Sequence, residues 1–302
     1  MRIGPTEIDD TFAEAFTMVY SQLVVTAHDE HWLEAALNSF CGYGSSVIAC
    51  DAEVGVCQRI DREHTDDGRI GAAVLVFGFS IESLSTAVTN RTGQCLMTCP
   101  TTAVFNGMPG AEQEIALGKH LRFFGDGFQK SKKLDRRRFW RVPVMDGEFV
   151  VEDVVGVRKG VAGGNFIVQS IDRDAGLAAV RRAIEKIKSL PGVITPFPGG
   201  VARSGSKVGS RYKALKASTS DPFCPTLRGR VQSKVHPDAN CAYEIVIDGV
   251  DREHVESAMV SGILASCGEG VVAIGAGNYG GKLGKHHFQL REMMESSAAA
   301  SP

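Results

Sequence analysis

One feature narrows the folds open to this chain more than any other: a stretch of sequence pattern that occurs twice. Residues 72–78 read Ala-Ala-Val-Leu-Val-Phe-Gly, and residues 243–249 read Tyr-Glu-Ile-Val-Ile-Asp-Gly. At the same offset Ser80 falls on Asp251, Leu84 on Val255, Ala87 on Ala258 and Val88 on Met259. In both copies an apolar run ends at a glycine, a helix-capping residue follows, and apolar residues then recur at helical spacing. Each helix leads to a further short strand, expected over residues 94–98 in the first copy and 270–274 in the second.

The same unit stands upstream in each half. Residues 21–26 read as strand, 30–39 as a helix burying Trp32, Ala36 and Phe40, and 45–50 as strand. In the second half 165–169 and 193–196 read as strands. Between them Leu177, Val180, Ile184 and Ile187 mark a helix face, with Arg181, Arg182, Glu185 and Lys188 outside. Each half is therefore β-α-β, connection, β-α-β, the split pattern of ferredoxin-like folds. The expectation is an α+β chain of two ferredoxin-like lobes related by internal duplication. Residues 1–150 form the first lobe, with a basic connecting insertion, and 151–302 form the second. A sheet with helices on one face needs a cover for the other, which lobe packing or a homo-oligomer would supply. The connection over 199–240 is longer than ordinary loops, yet its glycine, serine and proline content reads as ordered turns.

Composition excludes several classes. Lys plus Arg number 33 against 35 Asp plus Glu, a formal charge of -2, which does not suit a chain built to wrap nucleic acid or coat an anionic membrane. Ferredoxin-like RNA readers need aromatic motifs, and with 7% aromatics none is present. The longest nearly apolar stretch falls far short of the ~20 residues of a membrane helix. The amino terminus carries early acids and no apolar targeting segment. The eight cysteines, without a CxxC pair, read as reduced thiols, so the expected compartment is the cytoplasm. Glycine is in excess, 34 of 302 residues, against a background of about 7%. Many of these lie in loops at strand ends of the second half.

Glu244 is the residue the pattern singles out. Strand alternation sets Tyr243, Ile245 and Ile247 on one face and Ala242, Glu244 and Val246 on the other. A carboxyl flanked by apolar groups on a covered face would be raised in pKa by desolvation and could donate a hydrogen bond to an oxyanion. The alternative is a solvated or salt-bridged glutamate. Around it in sequence stand Gly163-Gly-Asn165, Ser204-Gly-Ser206-Lys207 and Asn278-Tyr-Gly-Gly with Lys282. Their convergence would make a pocket for a polar ligand; turn chemistry is the other reading. The G-x-G-x-x-G at 275, 277 and 280 lacks the helix and acid that a dinucleotide site requires. His28 and His31 have i,i+3 spacing without a third ligand nearby, and no zinc-type set or nucleophile motif is present. The enzyme reading is thus one without metal or prosthetic group. The basic run over 130–141 reads as a solvated face or as a contact for a polyanionic ligand.

Taken together, several runs resemble one family. They include Asp10-Thr-Phe-Ala-Glu-Ala-Phe16, Phe123-Phe-Gly-Asp-Gly127, Gly160-Val-Ala-Gly-Gly-Asn-Phe166, Pro196-Phe-Pro-Gly-Gly200, Ser206-Lys-Val-Gly-Ser210, Tyr243-Glu-Ile-Val-Ile247 and Ala276-Gly-Asn278 with Gly280-Gly-Lys-Leu-Gly284. In order and spacing they are similar to formylmethanofuran:tetrahydromethanopterin formyltransferases, over residues 6 to 285. The resemblance implies reversible formyl transfer from formylmethanofuran to N5 of tetrahydromethanopterin, both acting as coenzyme substrates. It implies a homotetramer and places the family's key acid at Glu244. Asn165, Ser206, Lys207, Asn278 and Lys282 stand in matching motifs and are expected to contact ligands. With the modest charge, the resemblance points to a bacterial-type member working in formaldehyde oxidation beside hydrolase subunits. The heavy arginine cluster and the Ser/Ala tail at 296–302 depart from the family pattern. A non-catalytic structural paralogue is the alternative, and the presence of an acid at 244 weighs against it.

Overall fold

A computed structural model describes residues 1–300, a mixed α+β chain that divides into two compact units. One comprises residues 18–159; the other comprises residues 1–17 together with 160–302. The expected division near residue 150 therefore differs at the amino terminus. The first 17 residues go with the second half because Ala273 and Ile274 pair in parallel with Glu7 and Ile8. His286–Gln289 likewise pairs antiparallel with residues 12–15.

In the 18–159 unit the strand Phe12–Ala27 supplies the centre of a sheet. Ile70–Gly78 pairs on one side of it and Ala103–Asn106 on the other, and Glu53–Ile60 lies outside Ile70–Gly78, all antiparallel. The helices Glu30–Cys41 and Ile81–Arg91 bury Leu33, Ala36, Leu37, Phe40, Leu84, Ala87 and Val88 in one core with the sheet. Ser80 and Ser83 close a reciprocal capping box at the start of the second helix. Beyond Ala103–Asn106 come Gly147–Glu152, Arg137–Val144 and Lys130–Leu134, so the basic run is a β-hairpin at a sheet edge. Within it Arg137 is held by Asp66 and Glu152, while Lys132, Lys133, Arg136 and Arg138 are exposed.

Two strand expectations fail in this unit. Residues 45–50 are a series of turns, because Arg91, 7% exposed, draws the chain around itself. It donates to the carbonyls of Phe40, Gly42 and Tyr43 and pairs with Asp51. The strand forms later, at Glu53–Ile60. Residues 94–98 continue from the helix as a wide turn, Thr92–Leu96, in which Met97 N–H donates to the Thr92 carbonyl at 2.9 Å. Its apolar residues still enter the core, Leu96 fully, but as a helical extension. Trp32 is only partly buried.

In the other unit Val154–Ser170 is central, flanked antiparallel by Cys241–Gly249 and Val271–Gly275, with Val193–Ile194 outside Cys241–Gly249. The helices Arg173–Lys188 and Arg252–Ser266 begin at side-chain caps from Asp172 and Asp251. Their inner residues Ala179, Val180, Ala183, Ile184, Val255, Ala258, Met259 and Ile263 meet Phe166, Val168, Ile245 and Ile247 in a single core. Of the face expected inside, Val180, Ile184 and Ile187 are buried, whereas Leu177 is only partly covered. The Ser/Ala tail is the end of the helix Leu290–Ala300, its last two residues lying outside the described ones.

Candidate active site

Because Ile245 and Ile247 point into the core, strand alternation turns Glu244 to the opposite face of the sheet. Strand pairing sets it beside Ile167. The connection that follows Val193–Ile194 then folds over this face. Ala202 exchanges backbone hydrogen bonds with Glu244, at 2.8 and 3.2 Å. The long connection is ordered, as its composition indicates, through short helical turns and a small pairing of Lys207–Val208 with Ala217–Ser218. Its far end is pinned where His236 N–H donates to Gln169 and Asn240 N–H to the Ser170 carbonyl.

The result is a small cleft of about 40 Å³, lined by Ile167, Ala202, Gly205, Ser220, Phe223 and Glu244 among others. That volume suits a group of a few atoms, not a whole coenzyme. Glu244 is partly exposed at the cleft, yet protein surrounds its carboxyl closely enough that burial raises its pKa to about 7. Among the described residues no cation pairs with it. Glycine lets backbone approach it from two sides. A β-carbon at Gly277 would lie 3.4 Å from Glu244 Oε1 and 3.3 Å from Asn165 Oδ1. At Gly205, whose φ of +55° already favours glycine, it would lie 2.8 Å from the Ser220 side chain.

The other residues singled out from sequence divide into two groups. Asn165 is buried and its carboxamide is engaged by backbone. It donates to the carbonyls of Gly163 and Gly277, both at 3.1 Å, and accepts from Gly277 N–H at 2.6 Å. Asn278 donates to the Phe12 carbonyl and accepts from Gly280 N–H. Ser206, Lys207 and Lys282 are exposed and do not line the cleft, and Lys207 pairs with Asp221 at 2.7 Å. Two residues that stood in the motif runs were not singled out from sequence. Tyr279 is half-buried; desolvation, then the nearby Glu244 charge, raises its phenol, while the Ser206 hydroxyl bonded to it works the other way. Glu14, 1% exposed, accepts four backbone N–H bonds from the 279–284 loop. A lone acid between two alanines in an apolar strand was the available signal for it, the same signal that marked Glu244. Among the described residues no group of three His, Cys, Asp or Glu is placed to hold a metal.

Two family models cover nearly the whole chain. The one described as formylmethanofuran-tetrahydromethanopterin formyltransferase matches residues 1–144, and its companion, described as the proximal lobe, matches 147–293. The chain belongs to the formylmethanofuran-tetrahydromethanopterin formyltransferase family. A formyltransferase of this family from Rhodopirellula baltica is 47% identical, covering 100% of this chain and 95% of its own length. Among solved structures, the formyltransferase of Methanosarcina barkeri superposes with a TM-score of 0.91 at 42% identity, covering 97% of this chain and all of its own. A chain of the formyltransferase/hydrolase complex from Methylorubrum extorquens, solved with methylofuran, gives 0.93 at 41%, covering 97% and 98%. Glu244 and its cleft lie in the stretch matched as the family's proximal lobe.

Proposed function

We propose that this chain transfers a formyl group reversibly between formylmethanofuran and N5 of tetrahydromethanopterin, with protonated Glu244 as the group that stabilises the transition state. The observation that carries the assignment is a carboxyl at the floor of the cleft, raised to about 7 by burial and without a cationic partner among the described residues. In the forward direction the N5 lone pair attacks the formyl carbon, and the carbonyl π electrons move to oxygen. The resulting tetrahedral oxyanion accepts a hydrogen bond from the Glu244 O–H, strengthened because the cleft holds little water. Collapse re-forms the carbonyl and expels the amine nitrogen of the furan coenzyme, which takes up a proton while N5 loses one. Asn165 and Asn278 act by fixing the loop that borders the cleft. Ser206, Lys207 and Lys282 contact the coenzymes outside the cleft.

The strand orders support a finer reading of the fold. In each unit the first strand is central, the third and fourth flank it, and the second lies outside the third, with two helices against one face. That is the ferredoxin-like arrangement, and its occurrence twice supports internal duplication. A homotetramer in contact with hydrolase subunits is the proposed assembly; a relative's place in a formyltransferase/hydrolase complex supports the second part. Eight cysteines free of disulfides support a cytoplasmic setting, as expected of a bacterial-type enzyme of formaldehyde oxidation. The test is a coupled formyl-transfer assay on purified protein alone. Turnover is expected without partner subunits, and Glu244→Ala should lower kcat on the order of 100- to 1,000-fold. Near-normal turnover by that variant would overturn the mechanism, and inactivity of the intact chain would favour the structural paralogue.

A further inference from the structure

We propose that Glu14 is a positioning residue for the transfer reaction, staking the glycine-rich loop 277–284 so that Tyr279 and Gly277 are held beside Glu244. The inference rests on the reading of Glu244 as the acid. Its foundation is the contrast between two enclosed carboxyl groups, Glu244 open to the cleft and Glu14 fully buried. Among the described residues Glu244 has no cationic partner, whereas Glu14 is saturated. Glu14 Oε2 accepts from Tyr279 N–H at 2.7 Å and Gly281 N–H at 2.8 Å. Its Oε1 accepts from Leu283 and Gly284 N–H, both at 2.6 Å. A carboxylate offers about four lone-pair sites, so none is left for a substrate. Glu14 therefore acts through what it holds.

What it holds is a loop that cannot form a regular element. Gly280 and Gly281 both have φ of +73°, turning successive N–H groups to one side. Such a concavity ordinarily captures an anion from solution. Here the chain supplies its own, from the strand Phe12–Ala27, and four backbone N–H groups meet its negative charge. The same strand segment holds the loop a second time, through Asn278 Nδ2 to the Phe12 carbonyl at 3.0 Å. At the loop's entry Gly277 is clamped by Asn165 directly against Glu244. At its next turn Tyr279 packs on Phe16, ring centroids 6.1 Å apart, and its phenol meets the Ser206 hydroxyl. The protein wall beside Glu244 on this side is thus held chiefly by one carboxylate on the strand Phe12–Ala27, with Asn278 and Asn165 as lesser tethers.

Glu14→Gln tests this. An amide has one acceptor oxygen and turns an NH₂ toward two donors, so half of the four bonds are lost. Exchange of the Tyr279, Gly281, Leu283 and Gly284 amides should quicken at least about tenfold. The kcat for formyl transfer should fall roughly 100-fold, as for other misplaced sites, with a smaller change in KM. In the Glu244→Ala background the same substitution should cost less than about threefold, because the wall then has no acid to serve. A Glu14→Gln enzyme with kcat within about twofold of wild type, or a loss that multiplies in full onto Glu244→Ala, would overturn the proposal. Should Glu14→Gln not fold, Tyr279→Phe keeps all four tethers. It should lower kcat when Glu244 is intact and not in the Glu244→Ala background; unchanged kcat in the former overturns the inference. Failure of the acid reading would show instead in Glu244→Ala alone, with Glu14 intact.

Discussion

At the residue scale, Glu244 and Glu14 show how one side chain takes opposite protonation behaviour from its surroundings. Burial without compensation raises Glu244 to about 7, so its proton is present below that value. As the donor form is the protonated one, kcat should be full on the acid side and decline as pH rises through about 7, which a pH–rate profile would show. The stability sign follows from proton uptake. Between the ordinary carboxyl range and about 7 the folded chain binds the extra proton, so this group's contribution to stability falls as pH rises across that window. Glu244→Gln should accordingly be more stable than wild type at pH 8, on the order of 2 kcal/mol after allowing for the exposure to the cleft. Denaturant titrations at pH 5 and 8 would test the difference. For Glu14, burial pushes the carboxyl up, but the four N–H donors outweigh it and its pKa is lowered. Its stabilisation is present above the ordinary carboxyl range and is lost as pH falls through the depressed value. Glu14→Gln should cost about 2–4 kcal/mol at pH 7, read from the same titrations.

Elements in this protein are begun by caps and redirected by single buried charges. Asp251 caps the helix Arg252–Ser266 by accepting from His254 N–H at 2.9 Å. Asp251→Ala should cost about 1 kcal/mol in urea unfolding without altering turnover. Asp251 and Ser80, the two caps of the repeat, were readable because a capping side chain acts within three residues of itself. Arg91 was not readable, since its partners Phe40, Gly42, Tyr43 and Asp51 lie some forty to fifty residues away. Arg91→Met removes the guanidinium and leaves three carbonyls and a carboxylate without it. A loss of about 3 kcal/mol or more is expected, with the 42–51 turns losing amide protection first.

For the whole molecule, the exposed aromatic residues carry the expectation of assembly. Phe123, Phe124 and Phe128 are each two-thirds exposed or more, within one short segment of the 18–159 unit. Replacing all three with serine should lower the oligomeric state measured by light scattering while leaving thermal unfolding of the chain within about 2 °C, as surface changes do. An unchanged assembly would place the contact elsewhere. Most strands, the inner helix faces, the repeated pattern and the sheet face on which Glu244 stands were legible in the sequence, since each is set by periodicity or by neighbours a few residues apart. Contacts between distant segments were needed to show that the first 17 residues complete the second unit, that residues 45–50 yield to turns, and that Glu14 holds the 279–284 loop. These depend on hydrogen bonds closed across long separations, such as the 265 residues between Glu14 and Tyr279, and local pattern carries no record of which distant backbone a buried charge will meet.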